Sequence, residues 1–457
     1  MMRTLMKPFL RCAGVIAIVS AGAAGGAVAP APDASGARLI TLRNGARLLL
    51  VPDPRAAAVS VGVWVEAGVK YERPGILGIS HLAEHLSARG IVAGGDDELR
   101  RRIEAVGGTT ASFTTADFTC FAHTVPREAL GLVLRLEAGR FAAGPTQAML
   151  DKDREATREE IRTRAKVNPF EHPLERLYGT AFASHPYRWP VLGSDEGLAR
   201  ITLKDCDEYL RSRYTPDQTL ITVLGDFDSE EALGFVRRLI EPIDRRGGRR
   251  APAGREAEPR GERRKTVPGD LPVRVLAVGW RVPGGADAAD GAALDLLSTL
   301  LSGGSSGRLT GRLVTAEKTC LFARTGRDRQ RDATMFWAAA AVRPGSDSSA
   351  VEGSLVGEVE KLAGEPIGGE ELDRARRQVE VAMLLGRQSA RDRGQALGTA
   401  QMISGDWHDA DRHLERLRAL TPADVQKAAA RTLTAARRTV VWSTAARTGA
   451  DSTGGRP

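Results

Sequence analysis

The chain has 457 residues, of which 42% are hydrophobic and 27% are charged, which is ordinary for a globular protein. This length is greater than one hydrophobic core usually serves, so we expect two or more domains. The net charge of +8 is unevenly distributed, because nine basic and five acidic residues between Glu241 and Lys265 contribute +4. No basic run is interleaved with aromatic residues, as a nucleic-acid surface would require. Composition therefore argues against a nucleic-acid partner.

The N-terminal residues differ from the rest of the chain. Arg3, Lys7 and Arg11 precede an apolar run from Cys12 to Val19, and small residues follow. This pattern is typical of a secretory signal peptide, so we expect residues 1–29 to be a signal peptide and the protein to be periplasmic or secreted. An uncleaved N-terminal membrane anchor is the alternative. No later segment is apolar and long enough to span a bilayer, so we predict no membrane span in the mature chain.

Hydrophobic alternation and turn residues predict that the first half mixes strands with helices. Asn44-Gly45 is a typical hairpin turn, and alternate valines from Val59 to Val65 predict one buried strand face. Residues 169–190 form a proline-rich crossing segment. The predicted strands are 39–42, 47–51, 59–65, 109–115, 119–125 and 219–224, and the predicted helices are 75–88, 96–106, 127–141, 146–166 and 203–214.

The second half repeats features of the first at a constant offset of 219 residues. Residues 201–205 and 219–224 correspond in this way to residues 420–424 and 438–443. Such an internal duplication predicts an α+β fold made of two homologous α/β-roll domains, each an antiparallel sheet packed with helices. The expected boundaries are a first domain at 36–240, an Arg/Pro/Gly-rich linker at 241–268, a second domain at 269–446 and a disordered tail at 447–457. Within the second half we predict strands at 273–282 and 334–342, and helices at 286–302, 349–364 and 369–388.

The most informative motif is His81-Leu82-Ala83-Glu84-His85. Residues four apart on a helix lie one turn above each other, so His81 and His85 can both face one metal ion. Zinc binds neutral imidazole readily, and a catalytic zinc usually has three protein ligands and one water. A carboxylate beside the metal, such as Glu84, is placed to accept a proton from that water.

A third ligand must come from elsewhere in the chain, and the acidic segment 151–161 is the richest source. Glu160 and Asp153 are seven residues apart there, and therefore lie on one helical face. A solvated, charged helix without a metal-binding role is the alternative interpretation of this segment.

The two segments together resemble the inverted zinc motif of the insulinase, pitrilysin and mitochondrial processing peptidase family, in its short two-domain bacterial type. The resemblance rests on the two histidines with Glu84, on Glu160 75 positions later, and on further segments such as Gly107-Gly108 and Pro186-Tyr187. It implies that His81, His85 and Glu160 bind one zinc ion per chain and that Glu84 is the general base of the catalytic first domain. It also implies a clamshell, of which this chain forms half, that closes over an extended peptide.

Further implied residues lie near the substrate. A peptide or unfolded segment would add a strand to the edge that contains Ala111, Ser112 and Phe113. The family usually has asparagine at Ala111, and Asp153 is one methylene shorter than the family's second acidic residue. In the second domain, Arg308 matches an arginine that holds the substrate backbone, whereas Phe322 stands where relatives carry a tyrosine.

We therefore expect a zinc metalloendopeptidase that acts on peptides or unfolded polypeptide segments. The missing tyrosine hydroxyl at Phe322 leaves open two alternatives, a non-catalytic subunit and a subunit that depends on a partner for activity. Family members of this length reach four domains by dimerising, so the resemblance implies a homodimer or a heterodimer with a related chain.

Overall fold

A computed structural model describes residues 36–89, 96–142, 144–167, 170–244, 254, 256–269, 271–285 and 289–446. Two sheets, each packed with helices, confirm the predicted α+β fold, but each sheet contains one parallel pair and is therefore mixed instead of wholly antiparallel. The predicted signal peptide at 1–29 and the predicted tail at 447–457 lie outside the described residues. No helix in the described part of the chain has both the length and the apolar character needed to cross a bilayer.

The first sheet has six strands in the order β1-β2-β6-β3-β5-β4, and only β2 and β6 are parallel neighbours. The strands β3 and β6 at its centre are buried along their whole length. A turn with Gly45 at φ +91° joins the first two strands, as the Asn44-Gly45 pair predicts. The strands are β1 Arg38–Thr41, β2 Arg47–Pro52, β3 Val59–Val65, β4 Thr109–Thr114, β5 Thr119–Val125 and β6 Thr219–Gly225.

The described residues of the first half contain eight α-helices. The helix that carries the histidine motif begins at Ile79 instead of residue 75, because Gly75 and Gly78 have φ of +96° and +94°, which an α-helix does not accommodate. The helices are α1 Ile79–Arg89, α2 Asp96–Glu104, α3 Leu130–Gly139, α4 Gln147–Val167, α5 Glu171–Ala181, α6 Asp195–Arg200, α7 Leu203–Arg213 and α8 Ser229–Leu239.

The second sheet contains β7 Arg263–Val267, β8 Val275–Pro283, β9 Cys320–Arg327, β10 Ala333–Val342 and β11 Arg438–Ser443. Its order, β7-β11-β8-β10-β9, matches the order β2-β6-β3-β5-β4, and β7 and β11 are its only parallel pair. The α-helices in the described residues of the second half are α9 Gly291–Ser302, α10 Ser348–Gly364, α11 Gly369–Leu385, α12 Ala390–Ser404, α13 Asp409–Ala419 and α14 Pro422–Thr432.

The internal repeat is visible in local structure as well as in topology. Thr202 and Thr421, 219 residues apart, each cap a helix through a reciprocal pair of hydrogen bonds with the aspartate three residues later. Each capped helix leads into the strand that pairs in parallel with its neighbour. The two halves therefore repeat one α/β unit.

Two elements lie in segments predicted to be a linker and a crossing segment. The Arg/Pro/Gly-rich segment predicted to be a linker at 241–268 contains β7, an edge strand whose Arg263-Arg264-Lys265 sequence lacks a hydrophobic alternation. The segment predicted to be a proline-rich crossing contains the helix α5. Pro173 is compatible with this helix because it lies in the first turn, where a backbone N–H has no partner within the helix.

One helix of each half packs against the sheet of the other half. Helix α5 packs against β8 and β11, where Leu177 lies over Gly279, while α12 packs against β3 and β6, where Gly398 lies over Trp64. The two sheets are thus joined by an exchange of helices. This exchange fixes the first sheet, which carries the candidate site, against the second half.

Candidate metal centre

The sequence of α1 determines which side chains face the candidate site. Ile79, Leu82 and Leu86 recur at helical spacing and are buried in a hydrophobic cluster beside the first sheet. His81 and His85 therefore lie on another face of the helix, which packs against α4. Glu160 is on α4, so the three predicted ligands meet where the two helices cross.

The distances within this group are short enough for one ion. Glu160 Oε2 lies 3.4 Å from His81 Nε2 and 3.8 Å from His85 Nε2. The two imidazole rings are nearly perpendicular, with centroids 4.8 Å apart. One ligand atom from each of the three residues lies within 4.8 Å of the others. These three residues form the only such group of His, Cys, Asp or Glu among the described residues.

The protonation of His81 suits a metal ligand. Burial, then the neighbouring imidazole of His85 and the guanidinium of Arg164, lowers the pKa of His81 to about 3, so the ring is neutral at physiological pH. Its Nδ1 has no hydrogen-bond partner in the part of the chain that the structure describes. Two imidazoles and one carboxylate make a donor set that zinc commonly takes in catalytic sites. The residues present therefore fit a zinc ion.

Glu84 is buried beside the three candidate ligands. The Thr114 hydroxyl donates a 2.6 Å hydrogen bond to Glu84 Oε2, which joins α1 to the edge strand β4. Burial raises the pKa of Glu84, and the hydroxyls of Ser112 and Thr114 oppose that rise. This carboxyl group is thus held in one orientation and binds a proton more readily than an exposed glutamate does.

The structure also shows how the start of α1 is held. Glu72 is buried, and its carboxylate accepts hydrogen bonds from the backbone N–H of Gly78 at 2.9 Å and of Ser80 at 3.0 Å. The Ser80 hydroxyl is 2.8 Å from the Tyr209 hydroxyl on α7. The sequence does not predict this role of Glu72, because ordinary capping patterns place the capping side chain directly before the helix. A glutamate upstream of a glycine-containing turn is the only signal that the sequence offers.

Asp153 lies on α4 two turns before Glu160 and is fully buried. Leu150 and Thr157 on the same face of α4 are also fully buried, so this face forms part of the core. The alternative of a solvated, charged helix therefore does not describe this side of α4. A supporting role for Asp153 at the metal site stays a prediction.

The predicted substrate edge is β4, which pairs with β5 and is the outermost strand of its sheet. Ser112 and Thr114 lie on the face toward Glu84, as the Thr114 hydrogen bond shows. Ala111 and Phe113 lie on the opposite face, where Phe113 contacts Trp64 edge-on at 6.3 Å. Of the three predicted substrate residues on β4, only Ser112 therefore lies on the face toward Glu84.

The two predicted features of the second half have other contacts. Arg308 is bound to Glu371 on α11 through Nε at 2.8 Å and Nη2 at 2.7 Å. Phe322, on β9, packs edge-on against Phe170 at a centroid distance of 4.8 Å. A role for Arg308 in holding substrate stays a prediction, and it would require the guanidinium to act while paired with Glu371 or to leave it.

Comparison with known proteins gives two adjacent matches. Residues 47–195 match the family model described as Insulinase (Peptidase family M16), and residues 200–379 match the model described as Peptidase M16 inactive domain. Zinc protease PqqE of Helicobacter pylori is 28% identical over 347 residues, which is 73% of this chain and 76% of that protein. An uncharacterized zinc protease of Mycobacterium leprae is 26% identical over 419 residues, covering 88% of this chain and 91% of the relative.

Solved structures show the same fold. A crystal structure of a protease from Helicobacter pylori has a TM-score of 0.84 at 24% identity and covers 89% of this chain and 99% of its own. A crystal structure of a peptidase M16 inactive domain from Pseudomonas fluorescens has a TM-score of 0.77 at 17% identity, with coverage of 90% and 99%. At these identities the likeness concerns the fold alone.

Proposed function

This chain belongs to peptidase family M16, the insulinase family, and on that premise we propose that it is a zinc-dependent endopeptidase of peptides or unfolded polypeptide segments. The observation that carries this proposal is the convergence of His81, His85 and Glu160, with Glu84 beside them. Relatives that are named zinc proteases support the choice of metal.

One zinc ion would be held by the imidazoles of His81 and His85 and by the carboxylate of Glu160. When bound, zinc lowers the pKa of a coordinated water and polarises a peptide carbonyl group. His81 contributes a ring that burial keeps neutral, so no proton has to leave it before it binds.

Glu84 would accept a proton at its carboxylate from the water that attacks the peptide carbonyl carbon, and it would return that proton to the leaving amine as the C–N bond breaks. Two features of the site prepare it for this task. The Thr114 hydroxyl fixes the carboxylate through Oε2, and burial raises its pKa toward the pH at which it must both take and release a proton.

The substrate would lie along β4 as an added strand, because β4 is the edge of its sheet. Main-chain hydrogen bonds to β4 would then supply affinity without demanding a particular sequence. Ser112 lies on the strand face toward Glu84 and would border the peptide bond to be cleaved. We also propose that a second chain completes a clamshell and that this clamshell closes around the peptide.

A second candidate function is a non-catalytic or partner-dependent subunit of a heterodimeric peptidase. Two observations favour it. Phe322 stands where relatives carry a tyrosine and so lacks its hydroxyl, and Arg308 is hydrogen-bonded to Glu371. A partner chain would then supply the substrate-holding groups that the second half lacks. We also propose that the protein is exported to the periplasm or secreted, since residues 1–29 have the pattern of a signal peptide.

Assays of the purified protein with an unfolded polypeptide, together with its mass in solution, test these proposals. We expect cleavage by the protein alone, loss of cleavage with a chelator, and recovery when zinc is added back. Cleavage that appears only after a related chain is added would identify a partner-dependent subunit. No cleavage in either case would contradict the peptidase proposal.

A further inference from the structure

A buried charged cluster lies behind the helix that carries the candidate ligands. Arg140, at the C-terminal end of α3, donates from Nε and Nη2 to the two carboxylate oxygens of Glu137 at 2.7 and 2.6 Å. His123 Nε2 on β5 is 2.9 Å from the same carboxylate. All three side chains are almost completely inaccessible to solvent. None of them has a part in the proposed reaction.

The cluster is connected to the backbone of Glu84 by one hydroxyl group. Arg140 Nη1 donates to Ser87 Oγ at 3.1 Å, and the Ser87 hydroxyl donates to the carbonyl oxygen of Glu84 at 3.0 Å. Ser87 is fully buried on α1, three residues after Glu84. The guanidinium of Arg140 is therefore connected to the backbone of α1 by two successive hydrogen bonds through Ser87.

The same guanidinium also touches the sheet. Its central carbon lies 3.3 Å from the centroid of the Phe121 ring. Phe121 on β5 is directly opposite Ser112 on β4, and Thr119 is opposite Thr114. Ser112 and Thr114 are the two residues whose hydroxyls face Glu84. Arg140 thus contacts both the helix that carries Glu84 and the hairpin that carries its hydrogen-bond donors.

Charge holds Arg140 in this position. Burial alone would raise the pKa of Glu137, but Arg140 and then His123 lower it to about 2, so Glu137 is ionised at neutral pH. A bidentate pair between a guanidinium and a carboxylate is geometrically rigid. With two of its nitrogens fixed by Glu137, Arg140 has one direction left for Nη1, and that direction leads to Ser87.

We propose that Arg140 is a positioning residue, which sets the distance between α1 and the β4–β5 hairpin through Ser87 and Phe121 and so holds Glu84 against Thr114. The consequence for turnover rests on the proposed peptidase function. The consequence for the local order of α1 does not, because it follows from the contacts alone.

Ser87→Ala tests the connection with little risk to folding, because alanine favours the helix and both charges of the cluster remain. Ser212→Ala is the matched control: its hydroxyl makes the same bond to a carbonyl three residues earlier, that of Tyr209 on α7, at 3.1 Å. We expect Ser87→Ala to lower kcat about tenfold, as a small displacement of a reacting group does. KM and the zinc dissociation constant should stay within about twofold, since binding groups are untouched.

Hydrogen exchange of the metal-free protein provides a readout that does not depend on activity. In Ser87→Ala, amides in the C-terminal half of α1 should exchange faster than in the wild type, and in Ser212→Ala they should not. Arg140→Lys should give the same pattern, because lysine cannot make the bidentate pair and reach Ser87 together.

Unchanged kcat and unchanged exchange in Ser87→Ala would overturn the proposal, as would equal effects in Ser212→Ala. A rise in KM with constant kcat would overturn it too, since the loss would then concern substrate binding. If the wild type cleaves no peptide, the peptidase proposal fails, while the exchange comparison still decides whether Arg140 positions α1.

Discussion

Thr114 and Glu84 are joined by a 2.6 Å hydrogen bond between the edge strand β4 and the metal helix α1. This contact brings the proposed proton acceptor and the proposed substrate strand into one unit. A peptide that pairs with β4, as we propose, would therefore be held in register with Glu84. The proposed substrate binding and proton transfer would then depend on the same few atoms.

Thr114→Val should lower kcat about tenfold, because it removes a hydroxyl that is hydrogen-bonded to a carboxylate and leaves the shape of the side chain nearly unchanged. Steady-state kinetics on an unfolded polypeptide would measure this. Thr110→Val makes the same change four residues earlier on the same face of β4 and should leave kcat unchanged. Equal rates for Thr114→Val and the wild type would show that the hydrogen bond has no part in turnover.

Glu160→Ala should weaken zinc binding by at least about a hundredfold, since it removes one of three ligands, a larger change than loss of a supporting contact. Competition with a chelator of known affinity measures the zinc dissociation constant. Glu159→Ala removes the neighbouring carboxylate, which faces solvent and is paired with Arg162. Zinc binding of that variant should match the wild type. Full zinc affinity in Glu160→Ala would refute the ligand assignment.

Glu72 should make stability fall as pH rises. Burial, opposed by the N–H groups of Ser80 and Gly78, raises its pKa from 4.5 to about 7. Between these values the folded protein retains a proton that the unfolded chain has released, so the free energy of unfolding decreases with pH, by about 3 kcal/mol in total. Glu72→Gln removes this titration. Relative to the wild type, the variant should therefore become more stable as the pH rises from 4.5 to 8.

Denaturant unfolding of the two proteins without zinc, at both pH values, gives that difference. Other titrating groups cancel because both proteins contain them. A difference that stays constant with pH would mean that Glu72 has the same pKa in the folded and unfolded states.

Gly398→Ala tests the exchange of helices between the halves. A Cβ atom at this position would lie 2.2 Å from Trp64 of the first sheet, so we expect a loss of about 1–3 kcal/mol in the free energy of unfolding. Gly357→Ala on α10 is the control, because no atom of the described residues lies within 4 Å of its new Cβ. That change should stabilise the protein by up to about 1 kcal/mol through helix propensity. Equal effects of the two substitutions in thermal unfolding would contradict the packing described for α12.

Local signals predicted most of the framework. The turn at Asn44-Gly45 and the strand at Val59–Val65 have sequence patterns that determine local structure, and the repeat of residues 201–205 at 420–424 predicted the duplicated architecture. The histidine spacing in α1 likewise predicted two groups on one helical face, and the acidic segment supplied Glu160 where α4 crosses it.

What the sequence did not reveal depends on contacts between distant segments. Strand β7 exists because β11 offers it a partner, and α5 buries Leu177 against a sheet of the other half. Glu72 and Arg140 hold the two ends of α1 from positions that no helical or strand period relates to it. The sequence also did not show which face of β4 is toward Glu84. Ser112 lies on that face, whereas Ala111 and Phe113 lie on the opposite one.

Glu84→Gln tests the proposed role of Glu84, with zinc content and peptide cleavage measured on the same preparations. Glu155→Gln, an equivalent change on the exposed side of α4, serves as control. We predict that all three proteins bind one zinc ion per chain, that wild type and Glu155→Gln cleave an unfolded polypeptide, and that Glu84→Gln is slower by about a thousandfold, as loss of a general base implies. Cleavage by zinc-loaded Glu84→Gln at the wild-type rate would contradict the role of Glu84 and the mechanism built on it.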